Sequence, residues 1–143
     1  MVVESAYIDT SVLGAYYCPE PLSSAAELAL RNVRTPAISN LTLVEFSSLL
    51  ARKRQLKELD SGRASQVAET FGNHVDEGFY RRIAISAEHF IRAQQLIGAA
   101  TSLRTLDALH LAVALIEEIP ILTADGKLAS TARKLKAVVI LVS

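Results

Sequence analysis

Four acidic residues stand where an acid can do chemistry: Asp9, Glu45, Asp107 and Asp125. Asp9 follows the apolar run Ala6-Tyr7-Ile8, and Asp125 follows Ile121-Leu122-Thr123-Ala124. Glu45 falls in the first turns of a helical pattern that begins near Thr42, and Asp107 in the first turn of another that begins at Thr105. Each has an ordinary structural reading. Asp9 suits a helix cap, and Thr42-Leu43-Val44-Glu45 fits a capping box. Asp107 complements the positive end of a helix dipole, and Asp125-Gly126 reads as a turn and a cap. Taken together, the four acids read differently.

The reason lies in the elements that must position them. Short apolar runs over residues 6–8, 36–39, 80–85, 121–123 and 138–142 read as strands. Helical patterns occupy residues 11–17, 23–33, 42–56, 61–75, 87–96, 105–117 and 126–135. Pro19 and Pro21 stop the first helix, and Pro120 blocks the sixth. Strands therefore alternate with helices, and the strands are unbroken apolar runs. That pattern predicts one α/β domain over residues 1–143, a three-layer α/β/α arrangement around a central parallel sheet. Such sheets bind ligands outside the carboxyl ends of their strands, and helix starts share that rim. Four acids far apart in sequence can converge there.

Bare carboxylates about 4 Å apart repel by about 4 kcal/mol per pair at an effective dielectric constant of about 20. A shared divalent cation removes that cost. The donors are hard oxygens, Cys18 is the sole cysteine, and the histidines show no compelling ligand pair, so magnesium or manganese is favoured over zinc. An ion of this kind activates water and stabilises charge on phosphoryl oxygens. Spacing alone points to a metal-assisted phosphoester hydrolase.

Composition narrows the partners. The chain has 143 residues, 15 basic and 15 acidic, with 50% apolar and 21% charged. This excludes an acidic disordered segment and a strongly basic nucleic-acid coat, so any RNA contact must be local. One cysteine excludes an intrachain disulfide framework. The start MVVESAY lacks the basic opening of a signal peptide. No clearly apolar run approaches the roughly 18 residues of a membrane helix. A cytoplasmic protein with no membrane partner is expected.

The segments YIDTSVLGAYY, SNLTLVEFSSLLARK, LRTLDALHLAVAL and ILTADGKLASTARKL, in this order, resemble the PIN-domain ribonucleases. The resemblance is strongest to the VapC-type toxins of prokaryotic toxin–antitoxin pairs, and it covers almost the whole chain. It implies a PIN-like nuclease domain that uses Mg2+ or Mn2+ to cut single-stranded regions of RNA. In-line attack by water would leave a 5′-phosphate and a 3′-hydroxyl. By this likeness Asp9, Asp107 and Asp125 anchor the metal, and Glu45 supports a ligand water or a second ion. Thr10, Ser11 and Thr123 match small polar positions that orient carboxylates or waters. The likeness also implies a cognate antitoxin covering the cleft and a homodimer. Lys136-Ala137 stands where many relatives turn on glycine, which leaves the shape of that loop open but not the chemistry. Arg31, Arg34, Lys127, Arg133 and Lys134 are local groups that can guide an RNA backbone.

Other residues invite less. Arg52, Lys53, Arg54 and Lys57 suit the negative end of a helix dipole and read as a solvated helix end. His110, three residues after Asp107, reads as a buried or cleft-edge polar residue, and His74 and His89 have no convincing partner spacing. Tyr16 and Tyr17 read as covers of core or interface, and Cys18 as an inert thiol. A receiver-like signalling module needs a lysine near the end of its last strand, and residues 138–142 offer none. A haloacid-dehalogenase-like phosphatase needs a second aspartate where Ser11 stands. The other alternative is a PIN-like scaffold that binds RNA or protein without cutting.

Overall fold

The computed structural model describes residues 1–99 and 102–143. Its strands are β1 (Val3–Ile8), β2 (Val33–Ser39), β3 (Arg81–Ile83), β4 (Ile121–Thr123) and β5 (Val139–Leu141). They pair in the order β3-β2-β1-β4-β5, every pair parallel. The helices are α1 (Thr10–Tyr17), α2 (Ser23–Arg31), α3 (Asn40–Gln55), α4 (Ser61–Asp76), α5 (Ala87–Ala99), α6 (Thr105–Ile116) and α7 (Gly126–Lys134).

Successive strand residues point to opposite faces, and here both faces are covered. Ala6, Ile8, Ile38 and Leu122 enter one core with Val12 and Leu13 of α1 and Phe46 of α3. Tyr7, Ala37 and Ile121 enter the other, with Ala93 of α5, Leu111 of α6 and Leu128 of α7. A strand buried on both sides has no polar face to show, which is why these runs read as continuous. The three-layer α/β/α expectation holds. From β1 the chain moves to β2 on one side, and the sheet continues through β4 on the other. The carboxyl ends of β1 and β4 therefore flank a switch in strand order, the usual place for a ligand crevice.

Several boundaries differ from expectation. Val33 pairs with Val3 and opens β2, so α2 stops at Arg31 instead of continuing to Val33. β3 is only three residues long, because its partner β2 ends at Ser39, opposite Ile83. α3 starts at Asn40, and its capping box is Ser39 with Thr42, not Thr42 with Glu45. Ser39 N donates to Thr42 Oγ1 at 3.2 Å, which leaves Glu45 one turn further on and free of any capping duty. Lys136 takes φ +72°. Ala137 N donates to Ala132 O at 3.0 Å and Lys136 N to Arg133 O at 3.1 Å. These are the two bonds of a glycine-type helix stop, so the loop has the shape of a glycine turn with a lysine in the left-handed position. Among the described residues no helix is long and apolar enough to cross a membrane.

Candidate active site

The pairing of β1 with β4 brings the first and last acids together. Asp9 N donates to Leu122 O at 2.9 Å, continuing the ladder one residue past β1. Asp9 stands at the N-cap position of α1, yet its carboxylate caps nothing. Instead Oδ2 accepts from Ser11 Oγ at 2.5 Å and from Thr123 Oγ1 at 2.8 Å. Those hydroxyls are themselves fixed by the far strand end. Ser11 Oγ accepts from Ala124 N and Thr123 Oγ1 from Asp125 N, each at 3.0 Å. Asp9 is only 6% exposed, so a carboxylate that would be costly to bury is held by two donors.

Asp125 does cap α7. Its Oδ1 accepts from Lys127 N at 2.9 Å and Leu128 N at 3.2 Å. The structural and functional readings coexist, because capping uses one oxygen and leaves the other.

Asp107 lies in the first turn of α6 and accepts no side-chain hydrogen bond among the described residues. Burial pushes its carboxyl above the ordinary range. The negative charges of Asp9, Asp125 and Glu45 push it further, with His110 opposing. Asp107 thus feels all three other acids. It shares with Asp125 a cavity of about 220 Å³, also lined by Arg104, Lys127, Ser102 and Thr131.

Glu45 Oε1 accepts from Thr10 Oγ1 at 2.8 Å and is bonded to His110 Nε2. Burial alone would raise the Glu45 carboxyl. The bond and charge of His110, helped by Thr10, outweigh burial and hold it below the ordinary range. Glu45 opens onto a groove of about 520 Å³, walled in part by Val44, Leu56, Leu106, Arg52 and Lys53. At the basic end of α3, Arg52 and Lys53 line this groove together with Glu58, and Lys53 pairs with Glu20 at 3.4 Å.

The four acids share one neighbourhood without closing a coordination shell. Among the described residues, no three His, Cys, Asp or Glu side chains stand together closely enough to enclose an ion. The donor set fits a hard cation that keeps several waters and takes only a few carboxylates. It does not fit a closed structural zinc site.

Two contributors were not assigned a role by the sequence. His110 is fully buried, as expected, but it spans from Glu45 to Tyr7. Its Nδ1 lies 2.6 Å from Tyr7 Oη, which lies 2.8 Å from Ser39 Oγ. Burial pushes the Tyr7 hydroxyl up to about 12, so it stays protonated. The available signal was a tyrosine inside an apolar strand, whose hydroxyl must find a partner when buried.

Of the five cations considered, Lys127 lines the acid cavity. Arg31 pairs with Glu27 at 2.7 Å and Arg34 with Glu4 at 3.8 Å. Both arginines lie where the strands begin, away from the acids. Arg133 and Lys134 complement the end of α7. Tyr17 packs against Phe46 and Phe71, and its hydroxyl bonds His74 Nδ1 at 2.6 Å and Tyr80 at 2.7 Å. His74 therefore has a partner after all, as does His89, whose Nδ1 accepts from Ser86 N at 2.9 Å. Cys18 is buried, and burial pushes its thiol up.

Comparison with known proteins places this geometry in context. The family model of the PIN domain matches residues 6–134. No curated protein matches the chain. Among solved structures it is similar to FitAcB from Neisseria gonorrhoeae, with 15% identity and a TM-score of 0.70 over 94% of this chain and 96% of that one. It is also similar to VapC20 from Mycobacterium tuberculosis, a toxin that cleaves the sarcin–ricin loop, with 19% identity and a TM-score of 0.69 over 87% and 93%. A third likeness is to VapBC-5 of the same organism, from the VapBC family of toxin–antitoxin systems, with 22% identity and a TM-score of 0.62 over 98% of each. Identities this low show a shared fold.

Proposed function

Since the chain belongs to the PIN domain family, whose domains are nucleases, we propose that it is a magnesium- or manganese-dependent endoribonuclease, the toxin of a VapBC-type pair. One observation carries this reading. Asp107, on α6, feels the charges of Asp9, Asp125 and Glu45, which come from three other parts of the chain. Evolution rarely gathers four acids at one rim for stability, because their repulsion opposes folding.

Asp9, Asp107 and Asp125 would hold the cation, with Glu45 beside it. The bound cation supplies charge stabilisation for the phosphoryl oxygens and a more acidic water. The chain's own residues do the rest. Ser11 and Thr123 aim Asp9, while Thr10 and His110 aim Glu45. The second Glu45 oxygen, Oε2, is available to accept a proton from the attacking water. Water oxygen forms the new bond to phosphorus, the bond to O3′ breaks, and O3′ takes a proton from solvent water. A 5′-phosphate and a 3′-hydroxyl result. Lys127 and Arg104, in the cavity with Asp107 and Asp125, suit a neighbouring phosphate.

The toxin role is supported by structural neighbours that are toxin–antitoxin proteins, among them VapBC-5. A cognate antitoxin would cover the acids with a basic side chain, a second copy would complete a homodimer, and RNA as substrate makes the cytoplasm the working compartment. The test is to sequence the ends of RNA treated with purified protein, with and without Mn2+. Asp9→Asn and Asp125→Asn are each expected to abolish cleavage while the protein stays folded. Equal turnover by these variants, or cleavage indifferent to chelator, rejects the enzyme. Growth arrest on expression, relieved by the neighbouring gene product, tests the toxin role, and the absence of such relief rejects it.

A further inference from the structure

Glu45 is held by a chain of hydrogen bonds that crosses the buried interior. Ser39 ends β2, Tyr7 sits within β1, His110 lies one turn after Asp107 on α6, and Glu45 lies on α3. Their side chains touch in that order: Ser39 Oγ to Tyr7 Oη at 2.8 Å, Tyr7 Oη to His110 Nδ1 at 2.6 Å, and His110 Nε2 to Glu45 Oε1. Glu45 fixes the direction of its own bond. An ionised carboxylate only accepts, so Nε2–H must donate to Glu45. Nδ1 faces the Tyr7 hydroxyl, accepting from Oη–H on a neutral ring and donating to Oη on a charged one.

We infer that His110, oriented by Tyr7, is a positioning residue that sets Glu45 and the first turn of α6 for metal binding. Two features make this more than core packing. Tyr7 and His110 are both fully buried, and an apolar pair would fill the same space without the cost of desolvating a phenol and an imidazole. His110 also shares a helix face with Asp107 at i, i+3. Pinning its ring to β1 on one side and α3 on the other therefore fixes both Asp107 and Glu45 relative to the sheet. The imidazole is out of reach of solvent and of any substrate, so it acts through Glu45 and takes no proton from the reaction.

This inference rests on the acids being a metal site, and its test separates the two. Three variants are compared with the parent. Tyr7→Phe removes only the hydroxyl, His110→Leu removes the donor to Glu45, and His110→Gln keeps an N–H near the Nε2 position. Direct Mn2+ binding by calorimetry is read beside the Mn2+ concentration for half-maximal RNA cleavage. Partners that orient metal ligands are typically worth about 10–100-fold in affinity or activity. His110→Leu is expected to weaken Mn2+ binding at least about 10-fold, Tyr7→Phe by less, and His110→Gln to recover most of the loss. Nitrogen NMR of the imidazoles supplies a readout free of metal: His110 Nε2 should be protonated in the parent, and the ring's nitrogen shifts should move in Tyr7→Phe. Parent-like Mn2+ binding in both His110→Leu and Tyr7→Phe overturns the inference, as does a parent ring whose Nε2 carries no proton. Should His110→Leu fail to fold, Tyr7→Phe and His110→Gln decide the matter. A parent that binds no Mn2+ sinks the nuclease reading and this inference together. A parent that binds Mn2+ and cuts RNA, with variants that do the same, sinks the inference alone.

Discussion

Thr123 is the residue whose replacement tests the site most sharply, because one hydroxyl serves both strand ends. It donates to Asp9 Oδ2 at 2.8 Å and accepts from Asp125 N at 3.0 Å, in a side chain with no exposure. Thr123→Val keeps the shape and removes both bonds. A hydrogen bond to an ionised group is worth about 1.5–3 kcal/mol, and a buried N–H left without an acceptor costs about 1–3 kcal/mol. The two losses share an atom and do not add fully, so a net loss of about 3–5 kcal/mol is expected. With a urea slope of about 1–3 kcal/mol per molar, the midpoint should fall by more than about 1 M. Thr123→Ser is the control, since it keeps both bonds and gives up one methyl, a loss of about 1 kcal/mol. Urea titrations in chelator, followed by circular dichroism, compare the two. A valine variant as stable as the serine variant would refute the reasoning, since it would mean that Asp9 and the Asp125 backbone do not depend on this hydroxyl.

Asp107 gives a pH test with a definite sign. Its folded carboxyl titrates above the unfolded one, so the stability linked to it is present at acid pH and lost as pH rises through the folded value. In chelator at pH 7, Asp107→Asn should therefore be more stable than the parent, and the order should reverse in excess Mn2+; a variant less stable under both conditions contradicts this. Lys136 holds a left-handed backbone at φ +72°, which costs a non-glycine residue about 1–2 kcal/mol. Lys136→Gly should raise the melting temperature, with a net gain below about 1 kcal/mol after the extra freedom of unfolded glycine is counted. A lower melting temperature would show that Lys136 gains something there that the backbone angle does not reveal.

Much of this fold is legible in the sequence because its strands are buried on both faces. Ile8, Ile38 and Ile121 belong to short unbroken apolar runs, and proline or polar caps mark most of the helix ends. The misplaced boundaries share one cause. Val33 looks like the end of α2 by periodicity, but its pairing with Val3 across 30 residues decides the matter. Thr42 looks like a cap by motif, but Ser39 reaches the position first once β2 has ended. Both depend on partners that local pattern cannot show. The site divides along the same line. The four acids are visible because each sits at a recognisable junction of strand and helix. The bonds from Tyr7 to His110 and from His110 to Glu45 join residues 103 and 65 apart, and no short-range signal announces either.

The zero net charge also finds a physical place. On the proposed function the chain must attract a polyanion, yet the residues that would hold its cation are themselves anions. Four of the fifteen basic residues sit beside the acids. Arg104 and Lys127 line the cavity of Asp107 and Asp125, while Arg52 and Lys53 line the groove of Glu45. At physiological salt, fields between exposed charges fade within about 8 Å, so only these near neighbours act on a phosphate at the acids. Without a cation, the carboxylates cancel much of that attraction. With one, the same rim would become locally positive. On the proposed function, ion and RNA therefore bind with positive coupling: the cation that activates water also turns the rim from repulsive to attractive, and a chain with no net charge can still hold its substrate.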